Sequence, residues 1–417
     1  SSLDFDLVSS RRPAVSPSTM LRRLAAVVLV APLGAVGSVS FEEYLARFGK
    51  VYGPEQYAER KLLFEKRSAE VEALNQRPGA SWTAGLNEMT DMLPSELAQR
   101  RGYNKAMREG AGPNLGLQAM QALVAEPLAS ETVPSEAPPQ GLPKDVDWRD
   151  YHHSVMTTVK QQGGCGSCWA FSATETIESH VAINTGLLMD LSPQALTSCT
   201  PNPQHCGGGG GCQGATAQLA FNYTFGAGLS TILLAPYTSG VSGASGTCDR
   251  MSNNHPQVGI TGYETLPFND ADALADAVAN IGPVSVSVDA WSWFRYDGGI
   301  FDGCNKTNPD INHAVQLAGF GEENGTKYWL VRNSWGSGWG EDGYIRLRRY
   351  DTEPCGTDVT PEHGNGCDGG ASSVRVCGEC GILSDSSYPT GAFVKGPRHV
   401  GGRHLASAAS GPGIVHV

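Results

Sequence analysis

The chain has 417 residues, enough for one large or two ordinary domains; only 17% are charged, while glycine (52) and proline (25) are abundant. A formal net charge of −12, with no lysine- or arginine-rich patch, argues against a nucleic-acid partner. The eleven cysteines are odd in number, so in an oxidising compartment ten can pair and one must stay free.

In chain order, residues 1–19 precede Met20 and read as a non-native or unstructured extension. Residues 20–38 read as a secretory signal: two arginines, an apolar stretch Leu24–Val36 too short to span a bilayer, and small residues at Gly37–Ser38. No other stretch is suited to crossing a membrane. The protein is therefore expected in the secretory pathway, bound for a lysosome- or vacuole-like compartment or the exterior, disulfide-bonded and off the membrane once the signal is removed. Ser40–Asn75 is expected to be helical, because Tyr57, Arg60, Phe64, Arg67, Val71 and Asn75 line one face. That face mixes apolar and charged side chains, which suits a helix lying on another surface. Ser81–Met92 looks extended and turn-rich, and residues 104–141, rich in Pro, Ala, Gln and Glu, form a linker open to cleavage.

A globular region follows over 142–390. Trp169–Ile183 is expected to be a helix ending at Gly186, and Ala271–Ala279 a second helical piece. Gly282–Ala290 and Tyr328–Trp335 alternate as strands do. Helices early and strands late predict an α+β fold. Residues 391–417, rich in Gly, Ala, Ser and His, are expected to be disordered.

The chemistry centres on "GCGSCWAFS", residues 164–172. Cys165 and Cys168 have the spacing of half a zinc knuckle, as does "CGEC" at 377–380, but the two pairs lie far apart and a secretory route favours disulfides. A redox pair would follow a strand, and nothing strand-like leads into Gln161. Two disulfide ends, or one disulfide end and one nucleophile, remain. At the first turn of a helix, a Cys168 thiolate would be stabilised by unpaired N–H groups and the helix dipole. It would still need an acid/base partner and oxyanion donors; His313, before an apolar strand-like run, and Asn333, before two tryptophans, are candidates.

Together these stretches resemble the papain-like cysteine protease family, in its cathepsin L-like form with an inhibitory prodomain. Cys165-Gly166-Ser167-Cys168-Trp169 meets the signature C-G-[SA]-C-[WY]. "LPKDVDWRD", "VKQQGGCGSCWAFS", "NHAV", "NSWGSGWGEDGY" and "CGILSDSSYP" follow in the family's order. The resemblance implies a two-lobed α+β fold, a helical lobe and a β-barrel-like lobe, preceded by a mainly helical prodomain at 40–103. It implies a cysteine endopeptidase made as an acid-activated zymogen, acting through an acyl-enzyme intermediate. In it Cys168 is the nucleophile, His313 its thiolate–imidazolium partner, Asn333 the group orienting the imidazole, and Gln162 an oxyanion donor. Trp335 shields the His–Asn bond. Substrate contacts fall on Gly214, Ala215, Thr216, Ala217, Ser287, Asn312, Ala314, Trp335 and Asp385. Asp385 lies at the floor of the S2 pocket, where it either pairs with an arginine at P2, the second residue before the scissile bond, or selects nothing.

In the prodomain, the family's Glu-Arg-Phe-Asn-Ile-Asn register reads Gln56, Arg60, Phe64, Arg67, Val71 and Asn75. The Gly-Asn-Phe-Asp element reads Gly85, Asn87, Met89 and Asp91, and protonation of carboxylates such as Asp91 is expected to release the segment. Family spacing suggests the disulfides Cys165–Cys212, Cys199–Cys248 and Cys304–Cys380. Cys206, Cys355, Cys367 and Cys377 are left to pair in any of three ways. The insertion 351–379 reads as a stapled surface loop, and the glycines at 207–211 as a flexible cleft edge. Sequons mark Asn222, Asn305 and Asn324 for glycosylation.

No metal or organic cofactor is implied. The partners implied are protein and peptide substrates, the prodomain as intramolecular inhibitor and cystatin-like inhibitors; the enzyme is expected to be a monomer. Two other readings compete. A catalytically inactive papain-fold binding protein would be expected to have lost Cys or His, and a disulfide oxidoreductase would need Cys165 bonded to Cys168.

Overall fold

Residues 39–103, 141–248 and 256–395 are described in the computed structural model. The signal segment, the N-terminal extension and nearly all of the 104–141 linker lie outside the described residues. The front region is not one helix from Ser40 to Asn75: it forms α1 (Phe41–Phe48) and α2 (Pro54–Asn75). Gly49 breaks the chain with φ +62°, and Pro54 opens α2, where its missing N–H leaves no intrahelical bond unmade. Tyr44, Phe41 and Phe64 pack their rings between the two helices.

The mixed face of α2 is used residue by residue. Phe64 and Val71 are buried. Arg60 grips both carboxylate oxygens of Glu96 in α3 (Pro94–Gln99), one through Nη2 at 2.7 Å. Arg67 Nη1 donates to the carbonyls of Met89 and Thr90, and Asn75 exchanges two 2.8 Å hydrogen bonds with the backbone of Ala84. Asp91 is fully buried and accepts hydrogen bonds from Tyr44 (3.0 Å), Tyr52 (2.7 Å) and Lys50. A short strand, β1 (Trp82–Ala84), then carries this region onto the main body.

In the body, β2 (Val146–Asp147) leads to the long helix α4 (Cys168–Thr185), α5 (Pro193–Cys199), α6 (Ala217–Ala227) and α7 (Ser239–Ser242). α4 is buried from Cys168 to Ala182, so it runs through the core rather than over it. Several of its buried polar residues are matched internally. Glu178 accepts from Thr157 (2.6 Å), Lys160 (3.0 Å) and the Leu191 N–H (2.7 Å), and Arg332 lies 3.4 Å from Glu175. Gly186 ends the helix in the left-handed conformation (φ 74°).

Strands β3 (Val258–Gly259) and β4 (Gly262–Thr265) precede α8 (Ala271–Asn280), which Asp270 caps through two backbone N–H groups. Then come β5 (Val284–Val288), β6 (Tyr296–Phe301), β7 (His313–Glu323), β8 (Thr326–Arg332) and β9 (Tyr344–Arg348). Last are β10 (Cys355–Asp358), β11 (Val374–Cys377), β12 (Ser386–Thr390) and β13 (Phe393–Val394). The main sheet runs β1-β6-β9-β8-β7-β5-β12-β4, with β2 beside β7; only the β6–β9 pair within it is parallel. One apolar cluster lies on this sheet around Trp293, Trp329, Trp335 and Trp339, and a second around α4, α5 and α6.

Two further expectations need correction. The insertion is more than a surface loop: β10 and β11 form an antiparallel hairpin, and Gly366 accepts a 3.1 Å hydrogen bond from the Gly207 N–H at the cleft edge. The tail is ordered at its start, because Phe393 and Val394 pair with Gly259 and Val258. The rest of the tail lies outside the described residues.

Candidate active site

Disulfides fix the frame: Cys165–Cys212, Cys199–Cys248, Cys206–Cys367, Cys304–Cys380 and Cys355–Cys377. Cys168 alone is free among the described residues. Cys165 is thus bonded away from Cys168, which removes the redox reading of the CGSC pair. Cys304 and Cys380, beside Glu379, are bonded to each other.

Cys168 is the first residue of α4, so its sulfur lies where the helix leaves N–H groups unpaired. Across the cleft, His313 opens β7 and Asn333 follows the last residue of β8. The fold brings them together because β7 and β8 are antiparallel neighbours, Gln316 facing Arg332. His313 Nε2 lies 2.8 Å from Asn333 Oδ1, an oxygen that also accepts from the Ser334 N–H at 2.8 Å. Nε2 therefore carries the imidazole hydrogen, leaving Nδ1 its lone pair and no protein hydrogen-bond partner. Trp335 lies 5.0 Å from the imidazole, centroid to centroid, and Trp293 meets the same ring edge-on at 6.2 Å.

Gln162 is fully buried. Its Nε2 donates to the Cys165 carbonyl at 3.0 Å, and its Oε1 accepts from Ser334 Oγ at 2.7 Å. One amide hydrogen thus anchors the side chain, and the second is uncommitted. The Cys165 carbonyl, which can only accept, fixes which end of the amide is nitrogen, and Ser334, absent from the sequence-based list, donates to the oxygen.

The cleft is occupied by the chain's own front region. Gly102 donates its backbone N–H to Cys168 Sγ at 3.1 Å, and the Ala314 N–H reaches the same sulfur at 3.3 Å. A Cβ on Gly102 would overlap the sulfur, so only glycine fits there. The Tyr103 N–H donates to the Asn312 carbonyl at 3.2 Å, and Trp335 Nε1 donates to the Arg100 carbonyl at 3.0 Å. Arg101 stacks its guanidinium on the Trp291 ring, 3.2 Å from the centroid.

Burial under this plug sets the electrostatics. It pushes the Cys168 thiol up to about 12, against the lowering effect of the backbone N–H groups of Ala314 and Gly102. It pulls the His313 imidazole down to about 4, opposed by its hydrogen bond to Asn333. In the covered site both groups favour their neutral forms.

The remaining cleft residues line one side. Gly214 has φ +93°, and a Cβ there would collide with the Gly102 carbonyl oxygen. Ala215 is fully buried, Thr216 precedes α6 and Ala217 begins it. Ser287 and Ala314 face each other across β5 and β7. Asp385 is held by Gln218 Nε2 (2.5 Å), Ser287 Oγ (2.6 Å) and Asn365 Nδ2 (3.0 Å). Sequence reasoning missed Gly102, Tyr103, Gln218 and Asn365. The first two carry no motif, and Asn365 lies two residues before Cys367, whose tie to Cys206 spans 161 residues.

The comparisons agree with this geometry. Residues 142–365 match the family described as papain family cysteine protease, and residues 41–97 match the cathepsin propeptide inhibitor domain. Fruit bromelain of Ananas comosus is 34% identical over 330 residues, 77% of this chain and 84% of its own. Cathepsin L of Sarcophaga peregrina is 36% identical over 66% of this chain and 76% of its own. Among solved structures, digestive procathepsin L 3 from the Tenebrio molitor larval midgut superposes with a TM-score of 0.61 at 30% identity, covering 84% of this chain and 97% of its own. The chain belongs to the papain family of cysteine proteases, and carries in front of its peptidase domain the propeptide inhibitor domain of the cathepsins.

Proposed function

We propose that the chain is the acid-activated precursor of a cysteine endopeptidase in which Cys168 attacks, His313 carries protons, Asn333 orients the imidazole and Gln162 holds the oxyanion. The observation that carries this reading is the meeting, in one cleft, of the free cysteine at a helix start, the His313–Asn333 hydrogen bond and the anchored Gln162 amide. The thiolate adds to the scissile carbonyl carbon, and its oxygen takes up the negative charge between the Gln162 amide and the Cys168 N–H. The imidazolium gives its proton to the leaving amine, leaving a thioester. Water, deprotonated by the imidazole, then releases the acid and restores the thiol. Replacing Gln162 by Ala should lower kcat by about 10²–10³.

Latency follows from what the plug offers the sulfur. Gly102 presents an N–H donor, where a substrate must present a carbonyl carbon. The plug also keeps the cysteine and histidine neutral. Once water returns, the proton passes from sulfur to imidazole, a transfer that takes none from solution. The catalytic pair therefore gives plug release no pH dependence, which falls instead to the prodomain's carboxylates. Arg60 holds Glu96 below the usual carboxylate range. Its stabilising contribution is thus present above about 4.5 and is lost as pH falls through the lowered value.

Secretory routing, to a lysosome- or vacuole-like compartment or the exterior, is proposed from the signal-like 20–38 segment and the five disulfides. Asn222, Asn305 and Asn324 are exposed and are proposed to carry glycans. No helix of the described residues is long and apolar enough to cross a membrane. The test is intact mass of the precursor stepped from about pH 5 to about pH 4, the range where carboxylates protonate, beside a Cys168→Ala twin. The reading expects only the wild type to shed its front region. It fails if neither species changes, with or without an added activating protease, and no thiol-directed peptide reagent adds to Cys168.

A further inference from the structure

The plug also shows which side chain the cleft is built to read. Tyr103 is almost wholly buried, in the apolar cluster that includes Ala215, Ala314, Ile311 and Val376. Its ring lies so close to Gly207 that a Cβ there would come within 2.9 Å of Cδ1. At the closed end, the phenol oxygen is 3.1 Å from Ser287 Oγ, which is itself 2.6 Å from Asp385 Oδ2.

The direction of these bonds can be worked out. Asp385 receives two amide N–H donors, from Gln218 and from Asn365, and acts as the acceptor at the end of the line. The single hydroxyl hydrogen of Ser287 is therefore spent on Asp385, and the hydrogen between Tyr103 and Ser287 belongs to the phenol. The pocket thus ends in a bare acceptor, a lone pair of Ser287 Oγ, surrounded by apolar wall. Three donors already occupy Asp385, and Ser287 stands between Asp385 and the phenol that fills the pocket. Burial also keeps the phenol protonated, raising its ionisation far above the ordinary value.

We infer that this pocket selects a tyrosine side chain, so that the mature enzyme prefers polypeptides with tyrosine at P2 over those with phenylalanine or arginine there. Ser287 is the specificity-determining contact, and Asp385, Gln218 and Asn365 position it. Asn365 gives the insertion a role in specificity: its neighbours Gly366 and Cys367 bind Gly207 and Cys206 at the cleft edge, which holds the amide over the pocket. The inference rests on the reading of Cys168 as the nucleophile, because only then does the pocket beside the sulfur receive a substrate side chain.

The experiment uses the matured enzyme and four fluorogenic dipeptides with arginine at P1 and tyrosine, phenylalanine, leucine or arginine at P2. Active enzyme is counted by titrating Cys168 with a thiol-directed epoxide peptide, so that a poorly folded variant does not pass for an unselective one. Tyrosine should exceed phenylalanine by about tenfold in kcat/KM, the size of one well-made hydrogen bond. Ser287→Ala should bring that ratio to about one, and Asn365→Ala should lower it part of the way. A wild-type ratio near one overturns the inference while leaving the protease reading intact. So does a preference for arginine that Asp385→Ala abolishes, since Asp385 would then be a cation trap. If no dipeptide is cleaved and Cys168 takes no label, the nucleophile reading itself has failed, and the inference with it.

Discussion

The prodomain and the peptidase domain respond to acid with opposite sign, although both depend on carboxylates. In the prodomain, Glu96 faces the Arg60 guanidinium, which holds it ionised, so acid removes a stabilising contact. In the peptidase domain several carboxylates are sunk in the body. Burial pushes Asp289 up to about 6 and Glu175 and Glu353 up to about 7. Their contribution is present below the ordinary carboxylate range and is lost as pH rises through 6 to 7, so acid firms these sites. His180 runs the other way: burial lowers it to about 4, and its contribution, present above 6.5, fades as pH falls toward that value. These three carboxylates stand against His180 and the plug-covered His313, and they leave a body suited to tolerate the acid proposed to loosen its inhibitor. Partner or burial, rather than residue type, sets the sign.

The comparison is tested most severely by separating opening from cutting. Cys168→Ala should depress peptide hydrolysis by about 10⁴-fold or more. The acidified variant should nevertheless expose its front region to an added protease, followed by the rate of cleavage between residues 41 and 103. An inert, protected prodomain at acid pH would break the comparison. Next in size, Asp91→Ala leaves Lys50 without its buried partner and should cost the prodomain about 3–5 kcal/mol. Opening should then begin at higher pH, while the thermal midpoint of the matured enzyme stays unchanged. Smallest, Glu96→Gln should remove about 1 kcal/mol from the prodomain. It should also flatten the pH dependence of opening below about 4.5, read from the slope of opening rate against pH.

The peptidase core was legible because its signals are local. Cys168 sits inside a five-residue signature, α4 ends at a glycine, and β5 and β8 have strand patterning. The break between α1 and α2 is marked in the sequence by Gly53-Pro54, while the spacing that predicts a helix, Tyr57 to Asn75, lies wholly beyond it. What stayed hidden is non-local. Tyr103 and Asn365 reach the cleft from opposite ends of the chain, and the partner of Cys206 lies 161 residues away. The Lys160–Glu178 and Arg332–Glu175 contacts inside the body likewise depend on packing that no periodicity announces.

One consequence follows from the strand β1, which the prodomain lends to the main sheet. When the prodomain leaves, β6 becomes the sheet's rim, and a rim of unpaired N–H and C=O groups is a template on which other molecules can polymerise. This rim is a poor template. It carries Asp297, at which even β1 matches it only with a shift between Thr83 and Ala84, and beside it Gly299 has φ +90°. Loss of β1 is thus expected to leave a rim with little tendency to pair edge to edge with another molecule.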